Sequence, residues 1–124
     1  MQKIFIITGS LLGATAVMIG AFGAHALRKM LEASGRSETF ETAVKYQFYH
    51  AIALVLVGII MFHVNHRWLT YSGYSFIGGV LIFSGSLYLL CFTGITKFGM
   101  ITPIGGLLMI IGWLLLAGAV AKGM

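Results

Sequence analysis

The sequence predicts an all-α integral membrane protein, a bundle of four transmembrane helices arranged as two helical hairpins. Three observations carry that prediction. Of the 124 residues, 59% are hydrophobic and only 9% charged, too little charge to cover a water-soluble domain of this size. Four long stretches, residues 4–27, 46–62, 68–96 and 98–121, carry no charge at all. The Lys and Arg residues cluster at the ends of those stretches, where their heads reach lipid headgroups while their stems stay apolar. A spanning helix needs about 20 apolar residues. Four spans therefore use nearly the whole chain as one transmembrane domain, and leave nothing for a soluble catalytic unit.

Span 1 covers residues 4–27. Its small residues recur every fourth position: Gly9 and Gly13, then Ala16, Gly20 and Ala24. That spacing places each series on one helix stripe, and small stripes let membrane helices approach closely. Lys3 and the sequence Ala24-His25-Ala26 resemble the start and cleavage site of a signal peptide. The apolar run exceeds the usual length of about 7–15 residues, however, and Arg28 and Lys29 flank it, so a true span is expected. The helix should continue to Ala33, with Gly35 as a left-handed cap. Ser37 suits the N-cap of the next helix, and Glu38 and Glu41 suit its first turns, where the helix dipole favours acids. A tight hairpin turning at 34–37 follows.

Span 2 covers residues 46–63, closed by His63, Asn65, His66 and Arg67. Span 3, residues 69–92, follows a short loop; Trp68, Tyr71 and Tyr74 read as an interfacial aromatic belt. Ser75, Gly79, Ser84, Gly85 and Ser86 give this span a small face, and Tyr88 lies deep enough to need a hydrogen-bond partner. Span 4, residues 102–122, opens with Thr102 as N-cap and Pro103 at the first helical position, where its missing N–H costs nothing. Gly105 and Gly106 allow close packing, as Gly9, Gly13 and Gly20 do in span 1. Trp113 falls mid-span, which points to a buried contact with another helix or a tilted span. Thr8-Gly9-Ser10-Leu11 is echoed by Ser84-Gly85-Ser86-Leu87, a faint sign of tandem hairpins.

The candidate site lies in the first hairpin. Counted in equal steps from the turn, His25 stands level with Tyr46 or Gln47, and His50 one turn deeper. A polar pocket of His25, Tyr46, Gln47 and His50 is expected beneath a charged collar of Arg28, Lys29, Glu41 and Lys45. Ionisable groups inside a membrane are candidate functional sites. Two imidazoles on neighbouring helices are also a haem arrangement, and histidine with Tyr46 and Gln47 suits a proton relay. The plainer alternative is that these side chains bond across the hairpin and lock it. No further ligand cluster accompanies the histidines, so no metal or cofactor is expected. No GxSxG, HExxH or P-loop occurs, so no enzyme is expected. Cys91 is the only cysteine; it excludes an internal disulfide and reads as a small apolar filler.

The net charge of +5 does not imply nucleic acid, because the basic residues sit at span ends and not along one polar face. Arg28, Lys29, Arg36, Lys45 and Lys97 gather on one side of the membrane; Lys3, Arg67 and Lys122 on the other. By the positive-inside rule the hairpin turn is cytoplasmic and both termini are outside.

Four ordered motifs, GAFGAHAL (20–27), YQFYHAIAL (46–54), SGSLYLLCFTG (84–94) and PIGGLLMIIGW (103–113), resemble the DUF423 family, also called UPF0382. That family includes small bacterial four-span proteins and the eukaryotic transmembrane protein 256. The resemblance implies a multi-pass protein of the bacterial plasma membrane and supplies no reaction. The primary expectation is a structural or assembly protein acting through helix–helix contacts, partnered by the bilayer and by further copies of itself. The alternative is a passage or binding site for an ion, proton, lipid or small molecule lined by His25 and His50. A haem-bearing electron carrier is a third possibility.

Overall fold

A computed structural model describes all 124 residues. The chain is helical throughout: α1 (Gln2–Ala24), α2 (Arg28–Ser34), α3 (Ser37–Ile60), α4 (Arg67–Thr93), a 3₁₀ turn (Thr96–Met100) and α5 (Thr102–Gly123). α1, α3, α4 and α5 are each long and apolar enough to span a bilayer. Their apolar residues surround each helix instead of forming one stripe, as expected where lipid is the outer solvent.

The four spans pack in chain order: α1 on α3, α3 on α4, α4 on α5. α3 and α4 are therefore the inner pair. Within their most apolar stretches 44% of residues are buried, against 17% in α1 and 22% in α5. The main core joins Phe5, Leu54, Val57, Leu69, Phe76 and Ala119. A smaller one joins Leu31, Phe40 and Cys91 at the opposite end, so the lone thiol packs as a buried apolar group.

Both hairpins close by one device. An added Cβ on Gly9 of α1 would lie 2.7 Å from Val55 Cγ2 and 2.8 Å from the Ala51 carbonyl oxygen of α3. One on Gly79 of α4 would lie 2.7 Å from Met109 Cγ and 3.0 Å from the Gly105 carbonyl oxygen of α5. Each glycine faces a side chain and the carbonyl four residues before it. The return helices match as well: Gly58, three residues beyond Val55, packs on Ile6, and Gly112, three beyond Met109, packs on Phe76. The tandem likeness thus pairs Gly9 with Gly79. The expected partner, Gly85, has no heavy atom near its missing Cβ.

Several helix ends differ from the sequence expectation. α1 stops at Ala24 and does not run on to Ala33. The His25 N–H bonds to the Ala21 and Phe22 carbonyls, and the Leu27 N–H reaches the Phe22 carbonyl at 2.9 Å. That five-residue span widens the last turn and releases the chain before α2 restarts. Gly35 takes the expected left-handed conformation at φ 70°, as does Gly94 after α4. Ser37 is not the cap of α3 but its first residue, after Arg36. Thr102 likewise begins α5 after Ile101, and its hydroxyl pairs with Ser86 Oγ at 2.5 Å. Pro103 does occupy the first turn. His66 caps α4, its Nδ1 accepting from the Trp68 N–H at 3.1 Å.

Candidate functional site

The polar interior is built around Gln47, 4% exposed, and His50, 6% exposed, both on α3. Their spacing of three puts them on neighbouring stripes of one helix. Gln47 faces α1. Its amide donates to the Leu12 carbonyl at 2.9 Å and to Thr15 Oγ1 at 2.8 Å. Its Oε1 accepts from the Tyr88 hydroxyl of α4 at 2.7 Å. One side chain thereby joins three spans with both donors and its acceptor in use.

His50, turned about 60° around the helix from Gln47, faces α4 and α5. Its Nδ1 lies 2.7 Å from the Tyr46 carbonyl, one turn back. A carbonyl only accepts, so Nδ1 carries the proton. Nε2 then receives the Trp113 indole N–H from α5 at 3.1 Å. These bonds assign the neutral Nδ1–H tautomer. A second ring proton would set N–H against N–H. The rings of Phe76 and Trp113 pack around the imidazole, with centroids 5.5 and 5.9 Å away.

Serine hydroxyls complete the interior. Ser84 donates to the Ala43 carbonyl of α3 at 2.7 Å. Ser72 and Ser75 donate to the Gly112 and Leu108 carbonyls of α5 at 2.7 and 2.6 Å. No buried side-chain nitrogen or oxygen lacks a partner.

The expected four-residue pocket is not assembled. Gly23 lies against Phe40, Gly20 against Val44, and Thr15 against Gln47. In that register His25 stands level with Glu38, about 18 Å of helix rise from His50. The early end of α1 causes the difference, because the equal-step count runs both helices straight to the turn. His25 is exposed. Tyr46, 40% exposed, contributes its carbonyl to His50 and stacks its ring on Phe83. The two histidines therefore cannot share a haem or metal, and no three His, Cys, Asp or Glu side chains come together. The helix-packing glycines divide: Gly9 and Gly105 sit in close crossings and Gly20 in a tighter than ordinary one, while Gly13 and Gly106 make ordinary contacts. Trp113 does meet another helix, yet stays 43% exposed.

The collar is also rearranged. Glu41 does not pair with Arg28, Lys29 or Lys45; the ion pair is Arg28–Glu32 at 3.0 Å, on α2 alone. Arg28, Glu32, Glu41 and Lys45 instead line one cavity of about 520 Å³ between α1, α2 and α3. Lys29 does not line it. Thr15 and Ser72 are the interior partners that the sequence reading passed over. Their signal was a hydrogen-bonding side chain at mid-span depth.

Fold and interior define a class: a multi-pass membrane protein whose four spans are cross-bonded inside the bilayer. The family model described as "Protein of unknown function (DUF423)" matches residues 19–106, and the chain belongs to that family. It is 44% identical over 123 residues to a UPF0382 membrane protein of Staphylococcus aureus (strain bovine RF122), covering 98% of each chain. It is 47% identical over 117 residues to one of Staphylococcus saprophyticus, covering 93% of this chain and 94% of the other. With the UPF0382 membrane protein YwdK of Bacillus subtilis it shares 37% over 122 residues, 98% of each. No solved structure matches. The protein is thus an integral membrane protein of a kind found in bacterial membranes.

Proposed function

We propose that this protein is a structural, non-catalytic component of the membrane that acts through helix–helix contacts and assembles with further copies of itself. The observation that supports this reading is the closed interior. A passage for ions or protons needs polar groups left free for the cargo, whereas every buried side-chain nitrogen and oxygen here is bonded. Further copies would meet the outer helices, where α1 presents Leu11, Val17 and Phe22 and α5 presents Ile104, Leu107 and Leu114, all more than half exposed.

The test is reconstitution in liposomes with a pH-sensitive dye inside, paired with native mass measurement. Proton flux equal to that of empty liposomes and a mass of two or more 13.4 kDa chains support the reading. A flux that His50→Ala abolishes without lowering thermal stability would overturn it.

A further inference from the structure

The cavity at the hairpin end continues downward along the outside of the α1–α3 seam. Its floor is apolar, made by Gly23, Leu31, Phe40 and Val44. Gly20, Val44 and Lys45 also line a second hollow of about 270 Å³, walled by Ala16, Val17, Phe48 and Tyr49. A third hollow follows at Gly13 and Ile52. A charged mouth therefore opens onto an apolar groove that runs with the helices.

The charges in the mouth are ordered. Arg28 and Glu32 neutralise each other. Glu41 and Lys45 are left, both exposed, with no ion-pair partner. They lie one turn apart on α3, about 6 Å along its axis. Lys45 is the deeper and sits where the mouth meets the groove. Glu41 is nearer the helix start, toward water.

We propose that this site holds one zwitterionic glycerophospholipid of the phosphoethanolamine type. The order of its parts matches the order of the wall: acyl chain in the groove, phosphate on Lys45, terminal ammonium on Glu41. A lysine within a few residues of the hydrocarbon region needs an anion or a path to the headgroups; a lipid phosphate supplies the anion. A phosphoglycerol headgroup would set the same phosphate on Lys45 but bring no cation to Glu41, so the charge pattern of the mouth favours the ethanolamine lipid. The cavity is of the size that holds small ligands. This inference does not rest on the structural role proposed above.

The experiment is native mass spectrometry of the full chain, titrated with phosphatidylethanolamine or phosphatidylglycerol of identical acyl chains. Wild type should hold the ethanolamine lipid several-fold more tightly. Lys45→Gln should weaken that binding about fivefold, the scale of one basic side chain near anionic lipid. Glu41→Lys should reverse the preference toward phosphatidylglycerol. Both positions are exposed, and an unchanged melting temperature in each variant ties the loss to the site. Glycerophosphoethanolamine, the headgroup without chains, should not compete. Equal binding of the two lipids, wild-type preference for phosphatidylglycerol, indifference to both substitutions, or full competition by the chain-free headgroup would each overturn the proposal.

Discussion

The indole N–H of Trp113 points at Nε2 of His50 from 3.1 Å, while Nδ1 of the same ring is spent on the Tyr46 carbonyl. An ionisable side chain in mid-membrane is thereby converted into a neutral strut between α3 and α5. Nitrogen NMR of the histidine-labelled protein should show one protonated and one bare ring nitrogen for His50, with the proton on Nδ1. Trp113→Phe keeps an aromatic ring beside Phe76 and removes the donor together with part of the ring surface. It should lower stability by about 0.6–1.7 kcal/mol, the range for hydrogen bonds between membrane helices, read as a lower melting temperature in detergent.

Gln47 carries more, because three partners depend on it. Gln47→Leu should destabilise by about 2 kcal/mol, three such bonds together. Tyr88→Phe alone should cost about 0.6 kcal/mol, and the double variant less than the sum, since one bond is lost only once. Thermal unfolding of the four proteins in one detergent checks the cycle; strict additivity would show that the Gln47–Tyr88 bond is not formed.

Glycines separate into those that a methyl group would disturb and those it would not. Gly9→Ala and Gly79→Ala each push a Cβ into a facing carbonyl and side chain, and each should cost about 1–3 kcal/mol. Gly85→Ala meets open space and should be neutral or gain up to about 1 kcal/mol from helix propensity. Melting temperatures of the three variants give the comparison directly.

The Arg28–Glu32 pair is exposed on both sides. Arg28→Ala should therefore change stability by less than about 1 kcal/mol, and raising the salt concentration should reduce even that difference.

Much of this fold is legible in the sequence. Charge-free length located four spans, and Gly35 marked one helix end because only glycine takes positive φ freely. The end of α1 was not legible. Nothing in Ala24-His25-Ala26 breaks a helix by type, and the release comes from a widened turn that α2 packing accommodates. That missed end moved the hairpin register and carried His25 into a pocket it does not enter. In the site, Gln47, His50, Tyr88 and Trp113 were each visible as polar groups at depth. Their partners were not, because three residues of rotation on α3 send Gln47 toward α1 and His50 toward α5. A helical pattern that is apolar all round leaves that rotation undetermined.

The matched clasps at Gly9 and Gly79 give each half of the polypeptide its own fastening. A chain severed in the short connection after Ile60 would keep both fastenings whole and lose only covalent continuity. Two separately translated fragments, made in the same cell, would meet through the α3–α4 bonds of Gln47 with Tyr88 and of Ser84 with the Ala43 carbonyl, and so rebuild the protein.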